Sequence, residues 1–232
     1  MSGESAEATS TDTSEEIMGA TYRALCDHGY AALTMQDIAD ESDKSTAALH
    51  YHYDTKEGLL LAFLEHLYER FTEKYGDVEG DDAVERLVGF VDGILCQSNL
   101  DDPEGFQTAL LEIRAQAPYD AAYRERLAKF DAFVTDRVES VVADGIAEGT
   151  IREDVDPGDS AAFVATLIDG VNTRRTTIGD TGGGTRRTFL AYVREHLVAP
   201  GADVTVDDWS GDDESDDSPE TTPTERDGGA GA

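Results

Sequence analysis

The residues that first suggest chemistry are His50 and His52, in a chain with 50 acidic residues. Imidazoles and carboxylates bind metals and move protons, but two residues two positions apart on a helix point ~200° apart. These histidines therefore cannot ligate one metal from one helical face. The glycine-rich run 179–184 follows a predicted helix and lacks the Lys-Ser/Thr ending of a phosphate-binding loop. No carboxylate pair lies in a setting that implies acid–base catalysis, so we expect no enzymatic activity, metal or cofactor.

A second chemistry, hydrogen bonding to nucleic acid, is suggested by residues 34–58, TMQDIADESDKSTAALHYHYDTKEG. Thr34 is predicted to cap one short helix and Ser45 a second. The polar turn 42–44 separates them. Two short helices joined by such a turn form a helix-turn-helix, whose second helix fits the major groove of DNA.

The start of the second helix would face base edges in this geometry. Lys44 can donate to guanine, Thr46 can bond either base pair, and Ala47 can contact a thymine methyl group. His50 and Tyr51 lie further along the helix and can donate to phosphates. Alternatively, Lys44 and Thr46 are only solvated turn residues.

Thr34 and Lys56 lie at the starts of predicted helices, where free N–H groups and the positive end of the helix dipole favour phosphate. Thr34 can also be a cap without touching DNA. The full set of predicted DNA-contacting residues is Thr34, Lys44, Ser45, Thr46, Ala47, His50, Tyr51 and Lys56.

Four sequence blocks in order resemble the DNA-binding domain of the TetR/AcrR family of transcriptional regulators. They read Ala24-Leu25…Gly29-Tyr30, Thr34-Met35-Gln36-Asp37-Ile38-Ala39, Leu49-His50-Tyr51-His52-Tyr53 and Thr55-Lys56-Glu57-Gly58-Leu59-Leu60. Three departures stand out. Leu25 replaces an aromatic residue, Asp43 replaces the usual turn glycine, and His50-Tyr51 reverses the usual aromatic-His order.

The resemblance implies an all-α protein with an N-terminal three-helix helix-turn-helix DNA-binding domain and a C-terminal helical bundle that binds a ligand and dimerises. It further implies a repressor that binds a palindromic DNA operator as a homodimer and is released by an unidentified small-molecule effector. The alternative is an interaction protein that keeps the scaffold but does not bind DNA.

The predicted organisation follows composition and helical periodicity. Residues 1–12 are predicted to be disordered, 13–58 to form the DNA-binding domain and 59–199 the ligand-binding and dimerisation domain. The acidic tail 200–232 is predicted not to fold. Thr13 is predicted to begin the first helix and Gly29 to end it.

The resemblance places the ligand among the middle helices, where three of the candidate residues are aromatic. Aromatic residues at helical spacing are otherwise ordinary core. Arg114 lies among apolar residues and needs a partner, for which Asp169 is a candidate. The predicted ligand-binding residues are Phe90, Phe106, Leu110, Arg114, Phe130, Asp169 and Asn172.

The eighth predicted helix is apolar on more than one face, which suggests a buried second side. We expect that side and the last helix to form the dimer interface, unless both faces are covered within one subunit. The predicted interface residues are Phe163, Leu167, Val171, Phe189 and Val193.

The formal charge of −32, from 18 basic and 50 acidic residues, argues against DNA binding by attraction to phosphate. Residues 14–60 alone carry nine acidic and three basic residues. The composition resembles that of proteins from salt-loving archaea, where the Debye length is ~3 Å and long-range repulsion is screened. The alternative is an ordinary acidic protein.

Cys26 and Cys96 are far apart and form no CxxC pair, so they indicate neither zinc nor a disulfide framework. The N-terminus has no basic start or apolar run of a signal peptide. The apolar run 161–168 is far shorter than the ~20 residues that span a bilayer. We therefore expect a cytoplasmic protein without a membrane partner.

Overall fold

The computed structural model describes residues 4–77, 79–96, 103–204 and 206. Within them the regular structure is helical, apart from an isolated antiparallel bridge between Ile151 and Val198, and the fold is all-α as predicted. The helices are α1 (Glu4–Ala32), α2 (Met35–Asp40), α3 (Thr46–His52), α4 (Lys56–Tyr75), α5 (Ala83–Cys96), α6 (Pro103–Arg114), α7 (Ala121–Glu148), α8 (Pro157–Ile178) and α9 (Gly183–Tyr192), which continues as a π-helical turn (Val193–Leu197).

The first helix begins at Glu4 rather than at the predicted Thr13. Residues 4–12 contain neither glycine nor proline, and their serine, alanine and glutamate residues are compatible with a helix. The chain bends at Gly29, where φ is 68° and ψ is 167°, so this glycine interrupts the helix at the predicted position. Residues 1–3 and 207–232, where disorder was also predicted, lie outside the described residues.

Three short-range caps shape the segment between α1 and α4. The hydroxyls of Thr34, Ser45 and Thr55 accept backbone N–H groups at the starts of α2, α3 and α4. Such caps satisfy N–H groups that have no partner within the helix. They confirm the predicted starts of both helices of the helix-turn-helix. We call α1, α2, α3 and the first turn of α4 the reading head.

Two hydrophobic clusters hold the molecule together. The first lies in the reading head and extends onto α6 and α7 through Phe106, Ala109, Ile113 and Tyr123. The second lies among α5, α7, α8 and α9, which we call the body together with α6. Because α4 contributes Phe63 to the first cluster and Tyr75 to the second, this helix connects the two.

The tightest approach in the body is at Gly145 of α7. A Cβ atom there would lie 2.6 Å from Ile151 Cδ1 and 2.8 Å from Ala83 Cβ. Only glycine therefore allows α5 and the chain after α7 to pack so closely. No helix in the part of the chain that the structure describes is long and apolar enough to cross a membrane.

Candidate nucleic-acid interface and cavity

The outward face of α3 carries three of the predicted DNA-contacting residues. Leu49 is the only buried residue of this helix and fixes it to the head. Ala47, His50 and Tyr51 are exposed, and their spacing places them on one helical face. Tyr51 is 86% exposed although it is a large aromatic residue, and its ring lies edge-on to that of His52, with 5.3 Å between ring centres. We call these three residues the recognition face.

Thr34 forms a reciprocal capping box with Asp37. Its hydroxyl accepts the Asp37 N–H at 3.3 Å, and its own N–H donates to Asp37 Oδ2 at 2.8 Å. The hydrogen bonds from the Thr34 hydroxyl and N–H lower the pKa of the Asp37 carboxyl. A negative charge therefore already lies at the start of α2, where a phosphate was predicted to bind.

Thr46 is positioned by α2 rather than by its own helix. Its hydroxyl donates to Gln36 Oε1 at 2.6 Å, and Gln36 Nε2 donates to Asp40 Oδ1 at 2.6 Å. This chain of hydrogen bonds links the two helices of the helix-turn-helix on their solvent side. Gln36 was not predicted as a site residue, because its partner is ten positions away and its own helix gives no sign of the contact.

Lys44 is held by the first helix. Its ammonium lies 2.8 Å from Glu16 Oε2, and the neighbouring Asp43 N–H donates to Glu16 Oε1 at 3.2 Å. The hydrogen bond from Lys44 is the main cause that lowers the pKa of Glu16. Lys44 is thereby held against α1 beside the start of α3.

Lys56 opens α4 and contacts the end of α1. Its Nζ donates to the Tyr30 carbonyl at 3.1 Å and lies 4.9 Å from the centre of the Tyr30 ring. The ammonium is therefore fixed at the start of α4, where the helix dipole also favours an anion. Ser45 is exposed, and its hydroxyl accepts the Ala48 N–H at 3.2 Å.

A cavity of about 850 Å³ opens between the far end of α4 and the body. Its walls are mainly apolar and aromatic, with charged groups of both signs among them. The lining residues on α4 are Leu67, Arg70, Phe71, Glu73, Lys74 and Tyr75. The lining residues on α5, α6, α7 and α8 are Ile94, Phe106, Gln107, Leu110, Arg114, Leu127, Phe130, Asp131, Val134, Ala165, Ile168 and Asp169.

Five of the seven predicted ligand-binding residues line this cavity: Phe106, Leu110, Arg114, Phe130 and Asp169. Arg114 Nη1 lies 2.9 Å from Asp169 Oδ1, which confirms the predicted pairing.

Two of the predicted ligand-binding residues lie elsewhere. Phe90 is 1% exposed and packs edge-on against Tyr75 in the body's core, so its placement in the ligand site is corrected. Asn172 lines a crevice of about 10 Å³ beside Leu110 and Arg114, which has room for about one water molecule.

Of the five predicted dimer residues, three are buried within the subunit and two are at least partly exposed. Val171, Phe189 and Val193 are buried at 2%, 1% and 0% exposure in the core of their own subunit, so they are corrected to core residues. Phe163 is 42% exposed, and its ring lies 5.0 Å from that of Tyr192. Leu167 is half-buried on the same helix.

Comparison with known proteins decides the family. Residues 17–63 match "Bacterial regulatory proteins, tetR family", and residues 104–199 match "BetI-type transcriptional repressor, C-terminal". A TetR transcription regulator of known structure from Haloarcula marismortui is 44% identical, over 81% of this chain and 99% of that one, with a TM-score of 0.75. This chain belongs to the TetR family.

A further relative agrees with that assignment, and a more distant solved structure shares the fold. The HTH-type transcriptional repressor AcnR of Corynebacterium glutamicum is 26% identical over 175 residues, which cover 75% of this chain and 87% of the relative. A TetR transcriptional regulator from Chloroflexus aurantiacus is 18% identical, over 83% of this chain and 99% of that one, and shares the fold with a TM-score of 0.71. The protein is therefore a DNA-binding transcriptional regulator and not an enzyme.

The two matched segments fall on the two sites of this TetR-family regulator. The first spans the recognition face and the start of α4, and the second spans most of α6 together with α7, α8 and α9. The cavity's lining on α4 follows the first matched segment, and its lining on α6, α7 and α8 lies within the second.

Proposed function

We propose that this regulator is a repressor, which binds a palindromic operator as a homodimer and releases it when a small molecule enters the cavity. The observation that carries the proposal is the course of α4. Its first residue, Lys56, lies in the reading head, and six residues near its other end line the cavity. Because a helix is stiff, a ligand that displaces one end of α4 also moves the other.

The DNA side of the proposal rests on the recognition face. Ala47 is small and apolar enough to meet a thymine methyl group, while His50 and Tyr51 carry donors suited to phosphate. Thr46 lies beside them with its hydroxyl oriented by Gln36. These groups act through short contacts, so they do not depend on a positive field around the head.

Acidic side chains lie close to the predicted DNA contacts, so binding cannot rely on long-range attraction to phosphate. Glu16 and Asp37 lie beside Lys44 and Thr34, so long-range attraction to phosphate is weak or repulsive. We propose that the protein works in molar salt, where ~3 Å screening removes the repulsion and counterion release contributes little. DNA affinity is then expected to fall only slightly as salt rises.

The cavity lining indicates the class of effector. Aromatic and aliphatic side chains cover most of it, and Glu73, Arg70 and Lys74 lie on one wall. Across from them Arg114 and Asp169 form an ion pair that an ionic ligand can open. We propose a small organic molecule with an apolar body and at least one charged or strongly polar group.

The dimer is proposed on the exposed side of α8 and α9, around Phe163, Leu167 and Tyr192. One short recognition helix reads only a few base pairs, whereas a two-fold dimer doubles the contacts and sets half-sites ~34–36 Å apart. The rings of Phe163 and Tyr192 already contact each other within the subunit and offer an apolar patch to a second copy.

The test is a binding titration in molar KCl with duplex DNA from upstream of the protein's own gene and a shuffled duplex as control. Lys56→Ala should weaken binding to both duplexes alike, whereas Thr46→Ala should mainly change the preference between them. A uniform loss from both variants would contradict these roles. No preference between the duplexes in the wild-type protein would contradict the proposed operator, and no binding to either would favour the non-DNA-binding alternative.

Coupling to the cavity can be tested without knowing the effector. Ala165→Trp fills part of the cavity from α8 and is expected to lower DNA affinity by about fivefold or more, as allosteric coupling does. Ala128→Trp adds the same bulk at an exposed position of α7 and should leave DNA affinity unchanged. Equal behaviour of the two variants would contradict a ligand-released repressor.

A further inference from the structure

The bend at Gly29 frees a backbone group that α6 then holds. With φ at 68° the chain leaves the helical path, and the next N–H, that of Tyr30, donates to Glu112 Oε2 at 2.5 Å. A Cβ at position 29 would lie 3.0 Å from the same oxygen. Glycine is therefore favoured by the positive φ, and a side chain at this position would also make the carboxylate shift.

The other side of Tyr30 holds Lys56. The Tyr30 carbonyl accepts from Lys56 Nζ, and the ring lies below the same ammonium. The Tyr30 ring also meets the buried Tyr123 of α7 edge-on, with 6.2 Å between ring centres. Tyr30 is thus fixed by α6 and α7 at one side and fixes the first residue of α4 at the other.

The helix that carries Glu112 has two working faces. One face lines the cavity with Phe106, Gln107, Leu110 and Arg114. Glu112 lies on the same helix but contacts the head. Ala109 and Ile113 are buried in the head's own hydrophobic cluster. A ligand that displaces α6 at the cavity therefore displaces the Glu112 carboxylate as well.

We propose that Glu112 is a positioning residue, which holds Lys56 in its phosphate-contacting place through Tyr30 and loosens it when α6 moves. This proposal rests on the proposed function, in which Lys56 contacts DNA. It adds a second route from the cavity to the head, through α6 and the end of α1, beside the direct route along α4.

The test is a double-mutant cycle measured as affinity for the upstream duplex in molar KCl. Glu112→Ala is expected to weaken binding about tenfold, the size of one hydrogen bond to a charged group. The combined variant Glu112→Ala/Lys56→Ala should bind no more weakly than Lys56→Ala alone, because the first change acts only through the lysine. Glu112→Gln keeps an acceptor oxygen and should bind nearly as well as the wild type.

Two controls separate this role from a general loss of structure. Glu125→Ala removes a carboxylate at an exposed position of α7 and should leave affinity unchanged. Glu112→Ala combined with Thr46→Ala should show the product of the two single losses, since Thr46 is positioned by Gln36 instead. Hydrogen exchange should also show faster exchange at the Tyr30 amide in Glu112→Ala than in Glu125→Ala.

The outcomes distinguish this proposal from the proposed function. Suppose that the wild type binds the upstream duplex and that Lys56→Ala weakens this binding. If Glu112→Ala then has no effect, or if its loss multiplies with that of Lys56→Ala, the coupling through Tyr30 is overturned. The DNA-binding role of Lys56 stands in either case. If the wild type does not distinguish the duplexes, both fall, even where the Tyr30 amide still depends on Glu112.

Discussion

The reading head and the body are both helical, but their helices differ in how many residues they bury. In the head, α3 buries only Leu49, and caps that span three residues shape its helix starts. In the body, α7 buries six residues and α8 five. Its ion pairs join residues as far apart as Asp92 and Arg186.

The two regions are therefore suited to different tasks. In the head, α3 buries a single side chain and therefore leaves its outward face available for a partner. A body with a dense core can enclose a cavity and still keep its helices in place. The connection between them consists of α4 and of the contacts that α6 and α7 make with the head.

The largest expected effect on stability comes from a substitution in the core of the body. Phe90→Ala removes a ring that is 1% exposed and should lower the free energy of unfolding by about 3–5 kcal/mol. Denaturant unfolding in molar KCl measures this. If Phe90 contacted a ligand in the cavity instead of filling the core, its loss would leave the free energy of unfolding nearly unchanged.

A second, smaller effect on stability is expected from a substitution in the reading head. Leu49→Ala removes the one buried side chain of α3 and should cost about 2–4 kcal/mol, with hydrogen exchange rising in residues 34–53 before the rest of the chain. DNA binding should be lost while α7 stays protected. Uniform loosening of the whole chain would show that head and body do not differ in this way.

The caps give a third effect, which depends on pH. Thr34→Ala should destabilise the head by about 1 kcal/mol near neutral pH. Because the folded state lowers the pKa of Asp37 below its ordinary value of 3.8, the stabilisation from the Thr34–Asp37 bonds is present above that value and lost as the pH falls through the lowered pKa. The difference in melting temperature between wild type and variant should therefore narrow at acid pH, leaving the part that comes from the bond between the Asp37 N–H and the Thr34 hydroxyl. A constant difference would contradict the capping box.

The smallest effect concerns the ion pair at the cavity. Arg114 and Asp169 have side chains 37% and 59% exposed, so Asp169→Asn should change the free energy of unfolding by less than about 1 kcal/mol. Denaturant unfolding of Asp169→Asn, Arg114→Gln and the combined variant measures the pair. A larger coupling free energy between Arg114 and Asp169 would mean that the ion pair mainly stabilises the body and is not easily opened by a ligand.

Local chemistry explains which features the sequence predicts. Thr34 and Ser45 cap helices within three residues of themselves, and Gly29 interrupts α1 where a left-handed residue is needed. These features depend on neighbours along the chain, so residue type and spacing are enough to predict them. The pairing of Arg114 with Asp169 was also predicted, because an arginine among apolar residues needs an acid.

Features that depend on packing were not predicted. Helical periodicity shows that Val171, Phe189 and Val193 are apolar, but it cannot show whether a neighbouring helix or a second subunit covers them. The same holds for Phe90, which fills the core rather than the cavity. Gln36 and Glu112 act on partners ten and 82 residues away, and their own surroundings in the sequence carry no signal of it.

The most direct test of the account is the affinity of Ala47→Glu for the upstream duplex in molar KCl. Ala47 is exposed, so the fold should tolerate the change, while a carboxylate at the N-terminal end of the recognition face would meet the DNA at contact distance. We predict an unchanged melting temperature and an affinity at least about a hundredfold lower. Wild-type affinity in this variant would contradict the assignment of α3 as the DNA-reading surface.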